Sequence, residues 1–163
     1  MSVKVLFISS GNSARSQMAE GFVRALAGDA FESYSAGSAS EDLDPLAVAA
    51  MAERGIDITG QRPKTLQDYI GTMQFEFIVT VCDQKERDCP MFPGKGTREY
   101  WPFEDPTRAK GSPEERLGVY REVRDQIEAR VGRWLKERRY KPPAEPRLEV
   151  SGRGDGGEAR PRR

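Results

Sequence analysis

The stretch Val5-Leu6-Phe7-Ile8-Ser9-Ser10-Gly11-Asn12-Ser13-Ala14-Arg15-Ser16-Gln17-Met18-Ala19-Glu20 decides how the rest of the chain is read. Four apolar residues lead into a run of small ones, and the small run leads into residues that favour helix. A buried strand, a tight loop and a helix N-terminus in that order make an anion site. Successive backbone N–H groups of such a loop converge on one point, and the helix adds the positive end of its dipole. Arg15, at the junction of loop and helix, supplies a planar guanidinium that matches two oxygens of a tetrahedral oxyanion. A solvated turn also uses Gly, Asn and Ser, but it has no need of a guanidinium at its helix end. The nucleotide-binding pattern GxxxxGK[ST] is not matched.

Outward from this stretch, residues 3–8 read as a strand covered on both faces and residues 16–27 as a helix stopped by Gly28. Residues 31–36 form a second strand closed by Gly37. Asp44-Pro45 caps an Ala-rich helix over 46–54 that ends at Gly55. A weaker helix over 65–72 precedes a strand over 76–81, and a last strand over 98–101 precedes a long exposed loop, 102–111. Ser112-Pro113-Glu114-Glu115 has the form of a capping box. The helix that it opens carries Leu117, Tyr120, Val123, Ile127, Val131, Trp134 and Leu135 as one apolar stripe to about Arg138. This alternation predicts an α/β fold: a three-layer open sheet of about four parallel strands with helices on both faces and ligands at the carboxyl ends of the strands. Ser9 and Cys82 both fall at such ends.

At 163 residues the chain suits one domain, over residues 1–139, followed by a tail, 140–163, too rich in Pro, Gly and charge to be expected to fold. Lys plus Arg and Asp plus Glu are both 26, so no excess charge argues for a nucleic acid or membrane partner. No apolar run approaches the ~20 residues of a spanning helix, and the N-terminus enters a strand without a signal peptide, so a cytoplasmic monomer is the expectation. The chain has no histidine, which excludes a Ser-His-Asp hydrolase and a His-ligated metal, and its two cysteines are too few for a four-cysteine zinc site. Anion binding, carboxylate acid/base work and dithiol chemistry remain.

Cys82 and Cys89 read either as two buried, inert thiols or as a reactive pair. The wholly polar Asp83-Gln84-Lys85-Glu86-Arg87-Asp88 between them suggests an exposed, flexible segment, which thiol exchange requires. Asp105-Pro106 reads either as a turn signal or as an acid on a loop that can fold over the anion.

The segment Ser9 to Gly21, with Tyr34-Ser35-Ala36-Gly37, Val79-Thr80-Val81-Cys82, Cys89-Pro90 and Trp101-Pro102-Phe103-Glu104-Asp105-Pro106, resembles the thioredoxin-coupled arsenate reductases. Their fold is similar to that of the low-molecular-weight protein tyrosine phosphatases, and the resemblance covers residues 3 to about 139. It implies that Ser10, Gly11, Asn12, Ser13, Ala14, Arg15 and Ser16 hold arsenate or phosphate. By the same resemblance a cysteine at position 9 attacks arsenic, Asp105 protonates the departing oxygen, and Cys82 attacks the arsenic-bound sulfur. Arsenite leaves, and Cys89 then forms a disulfide with Cys82 that thioredoxin reduces. No cofactor is implied. Some members bind potassium beside the loop; Asn12, Glu20 and Ser35 match that site, but Lys64 stands where an Asp belongs, so no metal is expected. The departure is Ser9, which leaves the chain expected inactive or a substrate trap. An engineered serine, a natural oxyanion-binding or regulatory protein and a tyrosine phosphatase are the alternatives.

Overall fold

The computed structural model describes residues 2–143 of the chain. Four strands, β1 (Val3–Ile8), β2 (Phe31–Ala36), β3 (Phe77–Thr80) and β4 (Thr97–Tyr100), form one sheet in the order β2-β1-β3-β4, with every pair parallel. Placing β1 at the centre buries its last four residues completely, which explains the apolar run that opens the chain. The register pairs Ile8 with Ala36 on one side and with Thr80 on the other. Just past these pairs, Ser9 N–H donates to Ala36 O (3.2 Å), Val81 N–H to Ile8 O (2.8 Å) and Trp101 N–H to Thr80 O (2.8 Å). The carboxyl ends of the four strands therefore finish together, and the segments beginning at Ser9, Gly37, Val81 and Trp101 leave the sheet side by side.

Three α-helices, α1 (Arg15–Ala27), α2 (Pro45–Ala52) and α3 (Pro113–Glu137), share a core with Val5, Phe7 and Val79. Six of the seven stripe residues of α3 are buried there and Leu117 is half-buried. Ser112 and Glu115 make the expected capping box. Asp44 caps α2 by accepting from Leu46 N–H, and Gly55 ends it. Ile56 N–H bonds to Met51 O and Gly55 N–H to Ala52 O around a left-handed glycine, φ +76°, the Schellman arrangement that a Cβ would strain.

Leu6, Ile8 and Ile78, alternate residues of the same strands, face the opposite side and pack on Leu66, Tyr69, Phe75 and Phe92. This third layer is thin. The helix expected over residues 65–72 is only a 3-10 turn, Leu66–Asp68, boxed by Thr65 and Asp68. A left-handed Gly71 (φ +82°) turns the chain away before another helical turn can form, and four aromatic rings, Tyr34, Tyr69, Phe75 and Phe92, fill the space edge to face. The loop 102–111 is less exposed than expected, since Phe103 and Pro106 are buried and Pro106–Arg108 makes a 3-10 turn. Tyr140 packs edge-on against Phe31, beyond the end of α3. Most of the segment read as a tail, residues 144–163, lies outside the described residues. Among the described residues no helix is long and apolar enough to cross a membrane.

Candidate active site

Between β1 and α1 the chain turns every carbonyl from Ser10 to Ala14 outward. Ser10 O accepts from Ser38 and Ala39 N–H, Gly11 O from Glu41 N–H, Asn12 O from the Gln17 amide, Ser13 O from Asp44 N–H and Ala14 O from Met18 N–H. Among the described residues, none accepts a hydrogen bond from the N–H groups of residues 10–15. With its carbonyls consumed and its N–H groups free, the loop is polarised to receive an anion. Asn12 permits the turn by taking a left-handed φ of +55°, a conformation for which Asn is suited.

The loop is braced from beneath. Asn12 is fully buried; its Oδ1 accepts from Lys64 N–H (2.7 Å) and Gln17 Nε2 (3.0 Å), and its Nδ2 donates to Ser16 Oγ (2.8 Å). Ser16 Oγ lies 2.6 Å from Ser9 Oγ. If Ser16 accepts from Asn12 it can give its own proton to side chain 9, an arrangement that would favour an anion there. The Asn12 and Ser16 side chains thus brace the loop from beneath, and the N–H of Asn12 stays among those left without an acceptor. Gly37 presses on the loop from β2, and a Cβ on it would stand 2.6 Å from Ser10 O and 2.8 Å from Ser9 O. Ser35 donates to Glu20, and Lys64 Nζ sits 3.7 Å from the same carboxylate while donating to Arg62 O. Burial pulls the Lys64 ammonium below its ordinary value against the opposing attraction of Glu20. Lys64 and Glu20 thus form a largely buried ion pair, with Ser35 as the carboxylate's second partner.

Above the loop is a cavity of about 200 Å³ bordered by Ser9, Ser10, Gly11, Arg15, Glu86 and Asp105, among others. Arg15 is buried and directed inward, donating to Phe103 O (3.0 Å) and Val81 O (3.4 Å). Its outer face is engaged by Glu86, with Nη1 to Oε2 at 2.5 Å and Nη2 to Oε1 at 2.9 Å. This corrects the reading of residues 83–88 as an exposed segment: Gln84, Lys85, Arg87 and Asp88 are exposed, but Asp83 is half-buried and the Glu86 side chain is only 4% exposed. Burial opposes its ionisation, yet the Arg15 pair, the Asp83 N–H and the Ser10 hydroxyl outweigh that and hold its carboxyl below the ordinary value. Nothing in the local sequence separates Glu86 from Asp83 or Asp88, and the partner that singles it out lies 71 residues away.

Asp105 makes a turn and also borders the cavity. Its Oδ1 accepts from Thr107 N–H and Oγ1 and makes the turn; its Oδ2 faces the cavity, 3.6 Å from Arg15 Nη2. Cys82 and Cys89 are joined by a disulfide, Cα to Cα 6.2 Å. Cys82 is buried two residues beyond Thr80, the partner of Ile8, and so lies one strand over from Ser9. The disulfide borders a second, shallower groove with Ile78, Met91, Arg98 and Tyr100, and Glu86 lines both. Among the described residues no cluster of three or more His, Cys, Asp or Glu is placed to hold a metal.

Residues 4–142 match the family model for low molecular weight phosphotyrosine protein phosphatases. An arsenate reductase of Shouchella clausii is 44% identical over 133 residues, 80% of this chain and 94% of that protein. A solved structure described as an arsenate reductase in the phosphate binding state superposes with a TM-score of 0.69 at 32% identity, over 83% of this chain and 98% of that one. A thioredoxin-dependent arsenate reductase of Corynebacterium glutamicum gives 0.57 at 26% identity, over 83% of this chain and 61% of that one. On the family match over residues 4–142 and the identity to arsenate reductases along most of both chains, the chain belongs to the low molecular weight phosphotyrosine protein phosphatase family, in its arsenate reductase branch.

Proposed function

We propose that this site is organised to reduce arsenate to arsenite through a thiol relay that thioredoxin restores, and that Ser9 halts the relay at its first step. With a thiolate at position 9, sulfur attacks arsenic held by the loop N–H groups and Arg15. One arsenate oxygen departs as water after taking a proton from Asp105. The Cys82 thiolate then attacks that sulfur, the sulfur–arsenic electron pair stays on arsenic, and arsenite leaves with a disulfide formed between positions 9 and 82. Cys89 attacks Cys82, frees the sulfur at position 9, and gives the Cys82–Cys89 bond for an external dithiol to reduce.

The observation that carries this reading is the Cys82–Cys89 disulfide, the relay's end product, one strand over from the anion loop. Ser9 cannot begin the sequence. Its alkoxide is far harder to form than a thiolate, and the chain has no histidine to take the proton. The Ser9→Cys variant is expected to consume reduced thioredoxin in proportion to arsenate added. Absence of that activity in a folded variant overturns the reading, and turnover of aryl phosphate in its place assigns the site to a phosphatase. As written, with Ser9, the chain is an oxyanion binder. A monomer in a reducing, cytoplasmic setting is part of the same proposal, since every group used comes from one chain and the dithiol needs a reductant.

A further inference from the structure

The Glu86 carboxylate makes the contacts that a bound oxyanion needs. Oε1 accepts from Arg15 Nη2 (2.9 Å) and Ser10 Oγ (2.9 Å); Oε2 accepts from Arg15 Nη1 (2.5 Å) and Asp83 N–H (2.7 Å). A carboxylate and one edge of a tetrahedral oxyanion both present two oxygens to a guanidinium in the same paired geometry. Arg15 lies at 3% exposure with its remaining contacts on Val81 O, Phe103 O and the Asp105 carboxylate (3.6 Å), so it has no second outer face to offer. Glu86 sits inside the ring closed by the Cys82–Cys89 bond, four residues after one cysteine and three before the other. The hydrogen bonds by which residues 83–89 reach the rest of the described protein are all made by its carboxylate.

From this we infer that Glu86 is an internal competitor for the oxyanion site, brought onto Arg15 when Cys82 and Cys89 join and withdrawn when they separate. The inference rests on the reading of the loop as an oxyanion cradle. The competition gives the relay a direction: closing the disulfide removes the donors that held the arsenic oxyanion, and the oxidised protein does not take up a new one until it has been reduced. Anion binding and disulfide formation then oppose each other, and the coupling is reciprocal. An oxyanion that binds the reduced form more tightly must make the disulfide easier to reduce by the same factor.

Inorganic phosphate is the probe, and the chain with Ser9 is the right protein, since it cannot turn over. Calorimetry is run on protein reduced with dithiothreitol and on protein oxidised with glutathione disulfide and freed of excess reagent. Phosphate is expected to bind the reduced form at least tenfold more tightly. Saturating phosphate is expected to raise the Cys82–Cys89 midpoint potential by about 30 mV for each tenfold of that ratio. In Glu86→Gln and Glu86→Ala, both checked for folding by thermal melting, the oxidised form is expected to regain most of the lost affinity. Equal affinity in both redox states overturns the inference and leaves the cradle intact, as does an oxidised form that stays weak in both variants. Failure of phosphate to bind either state overturns the cradle itself, and the inference with it.

Discussion

Residues 9–16 and residues 82–89 leave neighbouring strands at the same edge of the sheet, but they are anchored in opposite ways. The first is fixed at each carbonyl from Ser10 to Ala14 and through the buried amides of Asn12 and Gln17. The second is held at its ends by one covalent bond and in its middle by one carboxylate. The difference follows from what each has to do. A cradle selects its guest by being in place beforehand, whereas a thiol that must change partners needs a segment that opens at low cost. Many anchors hold the loop that borders the cavity, and few hold the segment between the cysteines.

The sharpest way to test that division is to remove the loose part's chemistry. In the Ser9→Cys background, Cys89→Ala is expected to abolish turnover with thioredoxin while phosphate binds as it does to the reduced protein. Calorimetry and a thioredoxin-coupled assay read the two, and a large fall in phosphate affinity would show the regions to be one unit. A middle-sized effect comes from cutting one brace of the stiff part. Asn12→Ala leaves the buried Lys64 N–H without its acceptor and places Ala at φ +55°, so denaturant unfolding is expected to show a loss of about 1–3 kcal/mol. Phosphate affinity should fall with it, and unchanged affinity would mean that the N–H groups converge without support from below.

The smallest effect is a control remote from both regions. Arg121 and then Arg124 hold the exposed Glu53 carboxyl down at about 2, from an ordinary 4.5. A carboxyl lowered on folding stabilises the fold at pH values above its ordinary one, and that contribution is lost as pH falls from about 4.5 towards 2. Glu53→Gln is therefore expected to flatten the acid side of the stability profile slightly, by circular dichroism, and to leave phosphate binding alone. Solvent keeps the effect small.

The sequence was most informative where local rules and global demands agree. The apolar run of β1, the Asp44-Pro45 and Ser112-Pro113 caps and the stripe on α3 are local signals, and each element formed within a few residues of its expected bounds. Residues 65–72 misled because their helical character competes with a layer of aromatic rings that local periodicity does not reveal. Within the site, Ser9, Arg15 and Asp105 could be placed from strand-end geometry and resemblance. Glu86 could not, because what distinguishes it from the acids beside it is a guanidinium brought near by the fold.

The ammonium of Lys64, buried against Glu20 under the cradle, has one more implication. A charge tethered to the backbone keeps a fixed distance from its partner without being drawn from solution. The same residue therefore joins two anchors, since its backbone N–H holds the Asn12 amide that braces the loop while its ammonium holds the Glu20 carboxylate of α1.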